Sequence, residues 1–300
     1  HYFDAVEAAQ EAHELLALWG GKAPHQHSFV HGGVSVAPTA DKINRSLALL
    51  DSIQEFVEDK MLPDTKLLSR AYSDYFDIGV TPRRLISFGL FRFGPNNEES
   101  LLKPGVLVNN HLTAPEVEKI EETVTNSWFE EKEGEAEPAP DKPGAYSWTK
   151  TVQYGGQHFE TGSLARMIIN GKYRGKPSTM DRIVARSIET SEITKLMRKW
   201  LTEMEPGPPP LKQQETPIKN EVVATTGAMR GALLHSATIE DEEVTDYNII
   251  TPTVWNFSPK DEFGNRGPVE AALVGTEIPR PNMLYTVLGR IIQIGRASCR

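Results

Sequence analysis

The feature that most constrains this chain is an uninterrupted helical pattern from Ser178 to about Met204, closed by Gly207-Pro208-Pro209-Pro210. Neither glycine nor proline breaks it, and Ile183, Val184, Ile188, Ile193, Leu196, Met197, Trp200 and Leu201 are its candidates for burial. A helix this long gains its stability by packing an apolar face, so other helices must be built against it. Proline cannot continue a helix, which makes the Gly-Pro run a firm end.

Two earlier stretches fit as partners. Tyr2 to Trp19 carries Phe3, Val6, Leu15, Leu16 and Leu18 and stops at Gly20-Gly21, a helix with a glycine exit. Thr39 precedes a second helix whose stripe is Ile43, Leu47, Leu50, Ile53, Phe56 and Val57, halted by Pro63. Spacings of three and four put that stripe on one face. Thr113 with Glu116 reads as a capping box opening a third helix toward Trp128, with a weak apolar face. The segment 130–143, EEKEGEAEPAPDKP, is acidic, proline-rich and poor in apolar residues, which predicts an exposed loop and a possible domain boundary. A strand-like stretch covers Tyr146 to Tyr154, and from Glu221 onward β-branched residues and short turns predict strands or ribbons. The expected class is a helix-rich α+β fold, with a long-helix bundle at the core and β-ribbon segments at the periphery.

With 300 residues, 39% hydrophobic and 24% charged, the chain can bury a real core. A net charge of −9 argues against a nucleic-acid groove, which needs a basic face. No run of about 18 apolar residues predicts a membrane span. A single cysteine excludes an internal disulfide framework and any all-cysteine metal site made by this chain alone. His25, His27 and His31 lie close enough to suggest zinc, but no nearby glutamate could act as base and no helical register converges the rings. A zinc hydrolase or a non-catalytic scaffold is thus one rival reading. The phosphate-loop, nucleophile-elbow and His-Glu-x-x-His signatures are all missing. Asn44-Arg45-Ser46 and Asn256-Phe257-Ser258 match the glycosylation tripeptide, a pattern common by chance.

More specific are arrays joining Gly, Arg and Pro in fixed order. They are Gly20-Gly21-Lys22-Ala23-Pro24-His25 with Gly32-Gly33-Val34; Tyr146-Ser147-Trp148; Glu160-Thr161-Gly162-Ser163-Leu164-Ala165-Arg166; Met229-Arg230-Gly231-Ala232-Leu233; and Thr251-Pro252-Thr253-Val254-Trp255-Asn256 followed by Ser258-Pro259-Lys260-Asp261. In kind and order these blocks resemble the large subunit of nickel-iron hydrogenases, from Gly20 to about Gln293.

The resemblance implies a nickel-iron centre with carbon monoxide and cyanide on the iron, reversible oxidation of H2, and an iron-sulfur small subunit as partner. In that family two C-x-x-C pairs hold the metals, and thiolates suit nickel and low-spin iron. Neither pair occurs in these residues, so no metal ligand and no cofactor are expected in this stretch alone. By resemblance Arg230 is the catalytic guanidinium over the open face of the metals. Pro252, Thr253 and Met229 surround the centre, with the Thr253 hydroxyl donating to a cyanide. Lys22 and His25 face the partner and its nearest cluster. Arg166 and Glu160 are structural groups near the site. The plainer alternative for each is a hydrogen-bonding residue that holds the fold.

Ser163 departs from the family's usual proline, and Gly227-Ala228-Met229 from its Glu-Ala-Pro. Residues 1–293 are expected to be the central and C-terminal part of the large-subunit domain. The stretch 294–300, IGRASCR, reads as an adapter-derived, non-native tail, which removes Cys299 as a ligand. The start at His1 predicts a missing N-terminal portion. Localisation at the cell envelope, on the periplasmic side through the small subunit, is favoured over the cytoplasm. The main alternative is a complex-I-like quinone-binding subunit with the same fold and no metal.

Overall fold

The computed structural model describes residues 1–30, 32–93, 99–132, 134–211 and 220–295. Its helices are α1 (Tyr2–Gly20), α2 (Ala40–Phe56), α3 (Leu62–Ala71), α4 (Ser163–Ile169), α5 (Thr179–Glu203), α6 (Pro252–Asn256), α7 (Pro268–Leu273) and α8 (Leu284–Ile292). The chain divides into two compact units: His1–Ala71 with Arg186–Pro217, and Tyr72–Ala185 with Ile218–Arg300.

The first unit is a helix bundle. α1 ends where predicted: Gly21 takes a left-handed φ of 78° and its N–H returns to the Ala17 carbonyl, a conformation that favours glycine because it has no Cβ. α2 is capped by Thr39, whose side chain accepts from the Lys42 N–H at 3.3 Å. Leu15, Leu50, Ile53, Val57 and Leu201 form the buried core, flanked by Leu18, Trp19, Leu47, Phe56 and Met197.

Pro63 does not halt the second helix. A π-turn at Val57–Met61, in which the Leu62 N–H reaches back to the Val57 carbonyl, carries α2 directly into α3. A proline in a regular helix collides with the carbonyl four residues before it, and the wider π-turn relieves that collision. The long helix α5 matches its predicted span. Of its eight apolar burial candidates only Leu201 is fully buried, whereas Asp181, Arg182, Glu189, Ser187, Ser191 and Thr194 are buried polar residues.

The second unit is made of antiparallel ribbons and short helices. Gly105–Val108 lies between Arg84–Ser87 and His111–Thr113. Gly231–Glu240 lies between Glu221–Ala228 and Glu243–Ile250, the β-rich tail predicted from Glu221 onward. Ile86, Phe88, Val106, Val152, Phe159, Leu234 and Trp255 meet in one core cluster. A second cluster joins Val269, Ala272, Val287, Ile291 and Ile294. Ile294 is therefore packed, while the rest of the expected tail from residue 296, Cys299 included, lies outside the described residues.

Two sequence expectations fail here. Thr113 and Glu116 open no helix: a single 3-10 turn at Val117–Lys119 leads into the strand Ile120–Thr123, which pairs with Thr151–Tyr154. The weak apolar face gave a helix nothing to bury, and ladder pairing decided the conformation. The Glu116 N–H donates to the Tyr154 hydroxyl at 3.0 Å in place of a helical carbonyl. The acidic stretch is exposed, but it forms the hairpin Phe129–Lys132 with Glu135–Pro138 inside the second unit. Lys132 lies between Glu130 and Glu137 and offsets their repulsion.

Candidate functional site

Three of the sequence blocks, its own and those at 229–233 and 251–256, meet at Thr161. Its N–H donates to the Asn256 side-chain carbonyl at 3.0 Å, and its own carbonyl accepts from the Asn256 amide at 2.9 Å. Its hydroxyl donates to the Ile86 carbonyl at 2.9 Å and accepts from the Ala232 N–H at 2.7 Å. One residue thus ties the end of α6, the strand Arg84–Ser87 and the start of Gly231–Glu240 together, and each of these polar groups is buried and satisfied.

The Met229-Arg230 turn is held onto this junction. Ala228 pairs with Gly231, leaving a two-residue hairpin loop. Gly231 has φ 145°, and a Cβ there would lie 2.5 Å from the Thr161 side chain, so no other residue fits. Arg166, 1% exposed, donates to the carbonyls of Ala228 at 3.0 Å and Met229 at 2.9 Å. The turn's backbone is therefore fixed by a buried guanidinium while its side chains project outward. Met229 is 79% exposed, Arg230 is also exposed, and the Arg230 guanidinium makes no hydrogen bond or ion pair among the described residues. An always-charged planar fork on a rigid turn can present hydrogen-bond donors to an anionic or polarisable group.

Pro252 is buried at the start of α6, where its fixed φ and missing N–H suit the first helical turn. Thr251 caps that helix by accepting from the Val254 N–H, and Thr253 is half-buried in the same turn. Glu160, next to Thr161 in the chain, is 3% exposed. Arg182 donates to both its oxygens, and Thr81 adds a third hydrogen bond at 2.8 Å.

Glu160, Arg166, Met229, Arg230, Pro252 and Thr253 all belong to the second unit, where Arg166 holds the Met229 turn directly and Thr161 links that hairpin to the end of α6. Lys22 and His25 belong to the first unit, in the turn after α1, and both are exposed. Sequence reading assigned no role to Thr161, Asn256, Gly231 or Arg182. The first three lay inside the quoted blocks, and Gly231 carried a usable signal as a glycine at a two-residue turn. Arg182 had no signal, because a charge on a long helix is ordinarily solvated.

Nickel and low-spin iron call for soft thiolate donors. Among the described residues no group of three or more His, Cys, Asp or Glu could hold a metal ion, and the chain's one cysteine lies outside them. His31, the third member of the histidine cluster, also lies outside the described residues. The residues present therefore do not fit as ligands of a nickel-iron centre.

This buried, glycine-dependent scaffold with one outward arginine is that of a hydrogenase large-subunit fold. The chain belongs to the nickel-dependent hydrogenase family, whose model matches residues 1–293. It is 33% identical to the periplasmic [NiFeSe] hydrogenase large subunit of Desulfomicrobium baculatum, over 93% of this chain and 60% of that protein. It is 26% identical to the uptake hydrogenase large subunit of Rhodobacter capsulatus, over 96% of this chain and 61% of that protein. The reduced, active Ni-Fe-Se hydrogenase structure from Desulfomicrobium baculatum superposes with a TM-score of 0.90 at 33% identity, covering 98% of this chain and 66% of that one. The chain thus spans about 60% of the length of these curated relatives.

Proposed function

We propose that the complete protein is the catalytic large subunit of a nickel-iron hydrogenase, catalysing H2 ⇌ 2 H⁺ + 2 e⁻. The metal centre, with carbon monoxide and cyanide on its iron, would be held by thiolates from outside these 300 residues. The electrons would pass to an iron-sulfur small subunit. Family membership supports this reading, and one observation in the chain carries it: Arg166 and Thr161 fix the backbone of the Met229-Arg230-Gly231 turn, leaving Arg230 preset and, among the described residues, unpaired.

In this reading Arg230 is the catalytic residue that meets the reacting centre, and Pro252, Thr253 and Met229 shape the pocket around it. Thr253 would offer its hydroxyl to a cyanide nitrogen. Arg166 and Glu160 are positioning residues. Lys22 and His25, exposed in the first unit, would meet the small subunit. Similarity to a periplasmic relative favours the periplasmic side of the envelope for the complete enzyme. Among the described residues no helix is long and apolar enough to cross a membrane.

The test is H2-dependent viologen reduction by the complete protein with its partner subunit. Arg230→Lys keeps the charge but loses the fork, and should lower the rate by roughly 10²-fold with nickel content unchanged. A rate equal to wild type at equal nickel loading would remove Arg230 from the reaction.

A further inference from the structure

A cavity of about 650 Å³ in the second unit is lined by residues 245–248 of the strand Glu243–Ile250 and by residues 122–124 at the end of Ile120–Thr123. Glu131, Gly134, Ala136 and Lys150 complete its lining. Side chains alternate between the two faces of a strand, so a cavity that meets consecutive residues lies along the strand's edge. Among the described residues both are edge strands: Glu243–Ile250 pairs only with Gly231–Glu240, and Ile120–Thr123 only with Thr151–Tyr154.

The Ser258 hydroxyl accepts from the Val152 N–H at 2.6 Å and donates to the Val152 carbonyl at 3.3 Å. Glu122, opposite Val152, therefore has no ladder bond and points its own N–H and carbonyl to the outer edge. In the other strand the Ile249 N–H leaves the ladder for the Asn248 side-chain oxygen at 3.0 Å. Tyr247, two residues away, shares that orientation, so its N–H and carbonyl also point outward. Among the described residues none of these outward groups of Glu122 and Tyr247 has a backbone partner, and the Thr123 hydroxyl in the same wall has no hydrogen bond. Asn248 donates to the Glu122 carboxylate and ties the two strands at that point.

We infer that this cavity is a slot for an extended peptide segment of another protein, bearing lysine or arginine at alternate positions, which adds as a strand beside Glu243–Ile250. Successive residues of an extended chain offer their N–H and carbonyl to opposite edges, so one segment serves both Tyr247 and Glu122. Residues 245–248, at about 3.3 Å each, match a segment of about four residues. The described lining sets the carboxylates of Glu122, Glu131 and Asp246 against the single ammonium of Lys150, which selects a basic segment. Asp246 shares a sheet face with Asn248, and Asn248 reaches Glu122, so acid lies to one side of the slot and calls for a cation at every second position. Charges on an edge deter indiscriminate pairing. A second copy of this edge would set like charges against each other.

The complete protein with its partner subunit is titrated with a rhodamine-labelled peptide amide of sequence KVKVK, and binding is read by fluorescence anisotropy. Saturable binding should slow hydrogen exchange at the amides of Glu122 and Tyr247. Methylating the peptide's backbone nitrogens removes its main-chain donors and should weaken binding at least about tenfold. Asp246→Lys, a change on the exposed edge, should weaken KVKVK about tenfold and let the peptide EVEVE bind in its place. Equal affinity for the N-methylated peptide, unchanged exchange at Glu122 and Tyr247, or no peptide binding because the partner subunit already covers the slot would each overturn the inference.

Discussion

Arg166, buried in the middle of α4, donates a 2.9 Å hydrogen bond to the carbonyl of Met229, sixty-three positions further along the chain. With the companion bond to Ala228 it makes the hairpin turn part of the core instead of a free loop. Arg166→Met keeps the packing and strands two carbonyls. Hydrogen bonds to charged groups contribute roughly 1.5–3 kcal/mol each, so losing both should appear in urea denaturation as a loss of about 3–6 kcal/mol. Hydrogen oxidation by the complete enzyme should fall at least about tenfold because Arg230 is no longer preset. Stability and rate both at wild-type level would show that the clamp has no such role.

Glu160 and Arg182 form the other buried polar centre, with Nε to Oε1 at 2.7 Å and Nη2 to Oε2 at 2.9 Å. Arg182 also reaches the Gly79 carbonyl at 2.7 Å. Breaking one side of a buried pair costs about 3–5 kcal/mol, since the surviving charge is left without its partner. Arg182→Met should cost that amount in equilibrium unfolding. The double variant Glu160→Gln with Arg182→Met should cost less than the sum of the singles. Simple additivity would mean that the two groups are not coupled.

Gly231→Ala places a Cβ against Thr161 at a backbone φ of 145° that L-residues avoid. Strain and overlap together should cost at least about 2 kcal/mol. Gly207→Ala, where nothing lies within 4 Å of the added carbon, is the matched control and should change the thermal midpoint little. Equal midpoints for the two variants would contradict the tight seat of the turn.

Acid should destabilise the fold in two separate steps. Burial holds the folded-state pKa of His158 below 6.5, so the unfolded chain takes up the proton first. Stability is full above 6.5 and declines as pH falls toward the folded value. Burial tends to raise Asp261, but hydrogen bonds from Asn265 and Gln153 and the nearby His158 outweigh it and hold the carboxyl below 3.8. Its contribution is present above 3.8 and lost as pH falls through the folded pKa. His158→Gln should flatten the upper step and also shrink the lower one, because His158 helps hold Asp261 low, whereas Asp261→Asn should remove the lower step and enlarge the upper one, because Asp261 supports the charged imidazole. Denaturation midpoints against pH for the three proteins decide it.

Nickel should not bind stoichiometrically to these 300 residues alone. Their described part offers no thiolate set, and nickel affinity depends on one. Metal analysis of the purified chain should find well under one nickel per molecule. The complete protein matured with its partner should carry about one.

Much of the fold was legible wherever one periodicity dominated. α1, α2 and α5 were found from spacing, a threonine cap and glycine stops, because these act within a few residues. Pro63 misled, since a π-turn is an accommodation of the backbone that no pattern announces. The Thr113 box misled because its capping signal had no apolar face behind it, and the strand at Thr151–Tyr154 took the segment.

The order of Gly, Arg and Pro blocks by itself pointed to the family, and the cysteine count by itself determined that these residues contain no pair of thiolates. Only the tertiary structure decided that Thr161 joins three of those blocks, that Arg166 clamps the turn carrying Arg230, and that Arg182 is buried against Glu160. Local signals act over one helical turn or one hairpin. A buried charge or a shared hydroxyl acquires its partner only when segments tens of residues apart are packed together, where loss of water makes that partner obligatory.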